Sequence, residues 1–390
     1  MKHTKEFTVT LFVLLVLTAA FLLVRYVRGT AINSAVETSN VARVNALLGK
    51  RPHLANARNK EGTTPLQIAA KIGNAQIAEL LIAHGADVNV RNINGLTALY
   101  IAADEGHKDV VEILLRAGAR LDDTTPMQGR TPLHIAAMNG HSDVVSLLLR
   151  SGAAVNIEDA VMARTPLLWA IAFHRTETAE MLLAHGAKAD FQGKSGETAL
   201  HVASSAPKEL IDLLISKGAD VQGRGPGACT ALHNAAAEAS VETIETLLEH
   251  GANVNATDNY GRTPLHNATA SLREDEALKA IRLLVSSGAD INTSDKAGRK
   301  ALHMASEPWS ADIARFLIAG GAEIDAQDNE GRTALHCAVE NEAEKVVEVL
   351  IAKGAHVNPR DNNGQTPLAY AISDGYKEIA ESLRRHGAEE

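Results

Sequence analysis

The sequence predicts an all-α solenoid of helix-turn-helix units joined by β-hairpin-like loops, preceded by one transmembrane helix. Three observations carry that expectation. First, a phrase typified by Gly-Arg-Thr-Pro-Leu-His-Ile at 129–135 returns ten times, its Thr position falling at Thr64, Thr97, Thr131, Thr165, Thr198, Thr230, Thr263, Lys300, Thr333 and Thr366. The steps are 33, 34, 34, 33, 32, 33, 37, 33 and 33 residues, and a near-fixed period of this length marks stacked units rather than a globular domain. Second, a Gly-Ala mark after a Leu-rich run keeps the same step from Gly85 to Gly387. Third, 45% of the chain is apolar but only 3% is aromatic, so the core is built from Ala, Leu, Val and Ile, which suit closely packed helices.

The elements follow in chain order. Residues 1–6 are a short basic tail. Residues 7–24 (FTVTLFVLLVLTAAFLLV) carry no charge; as a helix they would span ~27 Å, close to the hydrocarbon thickness of a bilayer. Lys2 and Lys5 before the segment and Arg25, Tyr26 and Arg28 after it suit a membrane boundary. A cleavable signal peptide is the rival reading, with Thr18 and Ala20 as the small residues before the cut, but the apolar run exceeds the usual 7–15 residues. The expectation is therefore an uncleaved single-pass anchor. Two lysines face two arginines across it, so sidedness is weakly specified; the tail's likeness to a secretory n-region leans the repeats to the extracytoplasmic side. Residues 25–30 are a linker, which places the repeats close against the membrane.

Residues 31–61 form a degenerate first unit, with Val41, Val44, Leu47 and Leu48 as the apolar face of its second helix. Ten full units, numbered here one to ten, fill 62–390. In each, a tip such as Asp328-Asn329-Glu330-Gly331-Arg332 has turn chemistry. Thr333 caps the first helix, and Pro follows the cap in half the copies, where its missing N–H is harmless. Val346, Val347, Val349, Leu350 and Ile351 face one side of the second helix, and Gly354 ends it. Neither helix buries its apolar face alone, so neighbouring units share one core. The last helix offers Glu381, Ser382, Arg384 and Arg385 to water as a terminal cap.

With its T-P-L-H-x-A and G-A-D-V-N phrases, this unit resembles the ankyrin repeat. "GRTPLHIAAMNGHSDVVSLLLRSGAAVN" and "GRTALHCAVENEAEKVVEVLIAKGAHVN" are near-complete copies, and the resemblance runs from about residue 31 to 390. It implies an interaction scaffold that binds an unidentified protein partner. It also implies that the phrase histidines, His134, His201, His233, His266, His303 and His336, tie adjacent hairpins through backbone hydrogen bonds. The residues agree: a catalytic group has no need of six equivalents, and imidazoles on helices 8–10 Å apart cannot share one zinc.

Other chemistry is not expected. A formal charge of −9 leaves no basic footprint for nucleic acid, and Cys229 and Cys337 are too few for a disulfide framework or a cysteine zinc site. Gly193-Lys194-Ser195 lacks the earlier glycine and the strand-helix context of a phosphate loop, and Gly223–Gly227 is a glycine-rich tip. Asn255, Asn267 and Asn292 begin Asn-x-Ser/Thr triplets at positions the repeat explains. No nucleophile–base pair or metal motif is present, so the chain is read as non-catalytic, without cofactor or metal. Three connections depart from the repeat: four extra residues near Ser271–Leu278, a shortened Ser204–Pro207, and Glu307-Pro308-Trp309-Ser310, which is expected to expose a tryptophan.

The resemblance leaves the hairpin tips and the two residues ending each first helix free to meet a ligand. In most repeats these slots are polar, as with Asn329, Glu330, Arg332, Glu340 and Asn341, or Asn362, Asn363, Gln365, Ser373 and Asp374. Repeats two to four differ, offering Ile93 and Leu96, Met127 and Met138, then Val161, Met162 and Phe173, with Tyr100 in the histidine slot nearby. Clustered apolar side chains with methionine and an aromatic suit an adaptable interface.

Overall fold

In the computed structural model, residues 31–389 are described. They are helices and turns throughout, with no strand among them, and the chain divides into two compact blocks between Lys188 and Ala189. The first block holds the degenerate repeat and repeats one to four; the second holds repeats five to ten. The tail 1–6, the apolar segment 7–24 and the linker 25–30 lie outside the described residues. No described helix is long and apolar enough to cross a membrane.

Repeat three shows how the sequence makes the unit. Thr131 is extended (φ −90°, ψ 169°) and caps the helix Pro132–Asn139, with Pro132 at its first position. Gly140 ends that helix in the left-handed region (φ 81°), and the second helix, Ser142–Arg150, runs back. At its end Gly152 (φ 94°) lets the Ala153 N–H reach the Leu148 carbonyl at 3.0 Å, a left-handed turn that costs a side-chain-bearing residue about 1–2 kcal/mol. Leu133, Ala136, Ala137, Val144, Val145 and Leu148 are buried. Each buried Leu or Val contributes roughly 1.5–3 kcal/mol, and the alanines let neighbouring first helices approach closely, as the scarcity of aromatics requires.

Tips are built as expected. Asp328 Oδ1 accepts the N–H groups of Glu330 and Arg332 at 2.9 Å each, and the Asp328 N–H reaches the Arg332 carbonyl at 2.9 Å. Neighbouring tips join by single backbone bonds, such as Asn329 N–H to Ala297 O and Asn362 N–H to Glu330 O, both 2.9 Å. Loop asparagines tie the other side: Asn255 Nδ2 donates to Gly288 O at 3.0 Å, and its Oδ1 accepts the Asp290 N–H at 2.9 Å. Asn292 repeats the pattern on Gly321 and Glu323, while Asn267 Nδ2 donates to His233 O. All three triplet asparagines are thus engaged in the stack.

Two local expectations need correction. Trp309 is half-buried, not exposed, and its indole N–H is enclosed without an acceptor. Ser382 is buried, leaving Glu381, Arg384 and Arg385 as the outward residues of the last helix, because at helical spacing Ser382 shares the inward side with Ile379 and Leu383. The four extra residues of repeat seven lengthen its second helix to the 13-residue Glu274–Ser286. In the degenerate repeat, Val44 and Leu48 are buried while Val41 and Leu47 are half-buried.

Candidate protein-binding surface

The histidines shape the face on which the surface lies. His134 Nδ1 accepts the Thr131 N–H at 3.1 Å, and its Nε2 lies 3.1 Å from the Arg164 carbonyl of the next repeat. A backbone N–H only donates and a carbonyl only accepts, so the ring is the neutral tautomer protonated at Nε2. His201, His233, His266, His303 and His336 make the same two bonds, reaching the carbonyls of Cys229, Arg262, Arg299, Arg332 and Gln365 at 2.9–3.2 Å. Burial holds all six below the ordinary imidazole range, His134 down to about 4, since protonating Nδ1 would set one donor against another. Gln67 does the same work with an amide: Oε1 accepts the Thr64 N–H at 2.9 Å and Nε2 donates to Leu96 O at 2.8 Å.

The side chains expected to meet a ligand divide into three groups. Ile93 is 71% exposed and Met127 88%, with Val161, Met162 and Phe173 also exposed. Five of the nine large apolar side chains exposed among the described residues therefore fall within 93–173, on three consecutive repeats. Leu96 and Met138 are half-buried at the base of the same face. Tyr100 is a correction: only 7% exposed, it fills the histidine slot between hairpins, where burial raises its hydroxyl pKa to about 12. That slot is interior whatever residue occupies it, so Tyr100 is not available to a ligand.

The two steps of 34 residues have a structural cause. Tips pair Asp328 with Arg332, four positions apart, but Thr125 with Arg130 and Asp159 with Arg164, five apart. The tips bearing Met127, Val161 and Met162 are one residue longer. Repeat four also holds Ala163 at φ 49° and His174 at φ 56°, at tip and turn positions where repeat three has Gly129 and Gly140. Left-handed residues other than glycine are costly, and the same two positions are left-handed without glycine at Ala228 and Ala239 of repeat six.

Two residues central to this face escaped the sequence reading, Arg130 and Trp169. Trp169 is buried and its indole N–H donates to Asp159 Oδ2 at 2.8 Å. The Arg130 guanidinium lies 4.2 Å over the indole and Phe173 leans on it with centroids 5.8 Å apart. Arg130 Nη1 reaches the Met138 sulfur at 3.8 Å, and Arg175 Nε donates to the Met138 carbonyl at 3.2 Å. Burial opposes ionisation of Asp159, but hydrogen bonds from the Met162 N–H, the Trp169 indole and the Arg164 N–H outweigh it and hold its pKa below the usual carboxylate range. The signal was present in the sequence as a Trp beside the histidine slot and a basic residue before the cap Thr, but their meeting depends on the fold.

Among the described residues, no three His, Cys, Asp or Glu side chains converge as metal ligands would. Cys229 and Cys337 are free, and burial pushes the Cys337 thiol up to about 12.

No curated protein matches the chain. Among solved structures, the human ASB11 ankyrin repeat domain is 30% identical with a TM-score of 0.51, over 57% of this chain and 98% of that one. The family profile described as ankyrin repeats (three copies) matches residues 31–125, 89–159, 133–225, 221–295, 277–361 and 302–390. Those matches run unbroken from residue 31 to 390, and the chain belongs to the ankyrin repeat family.

Proposed function

We propose that this chain is a non-catalytic interaction scaffold, held at a membrane by residues 7–24, whose repeats two to four bind a protein partner. The observation that carries the binding face is the run of exposed Ile93, Met127, Val161, Met162 and Phe173 over three neighbouring repeats, where scattered single residues are the rule on protein surfaces. The longer tips of repeats three and four favour the same place. The anchor rests on the uncharged run 7–24 and its basic, tyrosine-bearing flanks, and the proposed topology sets the repeats on the extracytoplasmic side. The test of the face is Met127→Ser with Phe173→Ser, read by partner capture and melting temperature together. Capture lost at an unchanged melting temperature supports it; capture retained contradicts it. The anchor is tested separately by carbonate washing of membranes, which should leave the full-length chain in the pellet.

A further inference from the structure

Resting on that reading of the surface, the geometry points to the chemistry of the partner: we propose that Arg130 receives an Asp or Glu side chain of a protein segment whose neighbouring bulky apolar residues pack on Met127, Met138 and Phe173. The inference comes from comparing arginines in one slot of the repeat. Arg332 gives its Nε and Nη2 to Asp328 Oδ2 at 3.1 and 3.0 Å, and Arg299 gives the same pair to Asp295 at 3.2 and 3.0 Å. Each is neutralised within its own tip. In repeat three the place of that aspartate is taken by Thr125, whose hydroxyl accepts the Arg130 N–H but carries no charge. Arg262, the remaining member of the slot in the second block, keeps Asp295 Oδ2 at 3.8 Å and has a side chain 36% exposed to water.

Arg130 shares with Arg262 an enclosed Nε and a loose ion pair to the aspartate of the next tip, but not its exposure to water. Its side chain is only 17% exposed, its Nε is enclosed without an acceptor, and Nη1 has only the weak Met138 thioether at 3.8 Å. Asp159 Oδ2 is 3.9 Å from Nε, beyond hydrogen-bonding reach, and its oxygens are already held by the N–H groups of Val161, Met162 and Trp169. A guanidinium pressed on an indole among apolar side chains, with no carboxylate in its own tip, is set up to receive one on the part still open to water, a contact that strengthens where water is excluded. Exposed Arg175 beside Met138 adds a second positive charge at the rim. An apolar segment without an acid would leave Arg130 unsatisfied; an acidic segment without apolar residues would leave Met127 and Phe173 uncovered.

The test is a phage-displayed library of random 12-residue peptides selected on the full-length chain in mild detergent. Enriched peptides should carry Asp or Glu beside Leu, Ile, Phe or Met. Resynthesised with that acid as its amide, a peptide should bind the unaltered protein at least 10-fold more weakly, yet change less than 2-fold on Arg130→Gln. Because the acid-to-amide arm alters only the peptide, it reads the contact even where Arg130→Gln disturbs folding. Binding that falls with Phe173→Ser but ignores the amide substitution overturns the carboxylate and leaves the surface standing. Binding indifferent to both Phe173→Ser and Arg130→Gln, or failure to enrich any peptide, overturns the surface as well.

Discussion

Replacing His134 separates a structural histidine from a reactive one, because the structure itself supplies the control. His134→Ala removes the acceptor of the Thr131 N–H and the donor to the Arg164 carbonyl, both at 3.1 Å, at a side chain with 0% exposure. Two lost hydrogen bonds at about 1 kcal/mol each, with a buried N–H and carbonyl left partly unpaired, give a destabilisation of about 2–4 kcal/mol. His134→Gln should cost under ~1 kcal/mol, since Gln67 holds the equivalent pair of bonds at 2.9 and 2.8 Å. The assay is urea unfolding of the full-length chain followed by Trp169 fluorescence in a Trp309→Phe background, which reads the first block. Equal losses for Ala and Gln would refute the reasoning, because they would mean the ring matters for something other than its two hydrogen bonds.

Acid should weaken the fold before most carboxylates titrate. Burial depresses the His134 pKa from 6.5 to about 4, so the unfolded chain takes up the proton first; its contribution is complete above pH 6.5 and is lost as pH falls toward 4, by about 3 kcal/mol in all. The other five phrase histidines act in the same direction, and a stability flat between pH 7 and 4.5 would contradict this. Ala163→Gly should raise the urea midpoint, since relief of the φ 49° conformation, worth about 1–2 kcal/mol, exceeds the roughly 0.4–1 kcal/mol of added unfolded-chain entropy; an unchanged or lower midpoint counts against strain there. Gly129→Ala should lower the midpoint, with a destabilisation of roughly 1 kcal/mol or more, because the new Cβ would meet the Ala160 backbone N at 2.7 Å. Zinc should leave the melting temperature unmoved if the histidines serve only the backbone.

Much of the fold is readable in the residues because the repeat states its local chemistry ten times. Cap threonines, tip Asp-Gly pairs and the Gly-Ala mark each specify backbone groups that must be satisfied, and Thr131, Asp328 and Gly152 do so as their types require. Neighbour-dependent features are not legible in this way. Tyr100 reads as a surface aromatic until the histidine slot is seen to lie between hairpins. Trp309 reads as exposed from its place in a polar turn, while the fold half-buries the ring. Arg130 looks like Arg299 and Arg332 in one dimension; only the hydrogen bonds of its longer tip show that Thr125 stands where they have aspartate. Ile93, Met127, Val161 and Met162 are legible because the middle of a hairpin tip faces outward, and Phe173 because it ends a first helix on the same side.

The central claim is that a partner sits on repeats two to four, and photocrosslinking tests it most directly. A benzophenone amino acid placed at Met127, and in a second variant at Glu330 on the equivalent region of a polar repeat, is irradiated in the full-length chain within native membranes. A discrete adduct from position 127 and none from position 330 is the predicted result. Adducts equally from both, or from position 330 alone, would contradict it.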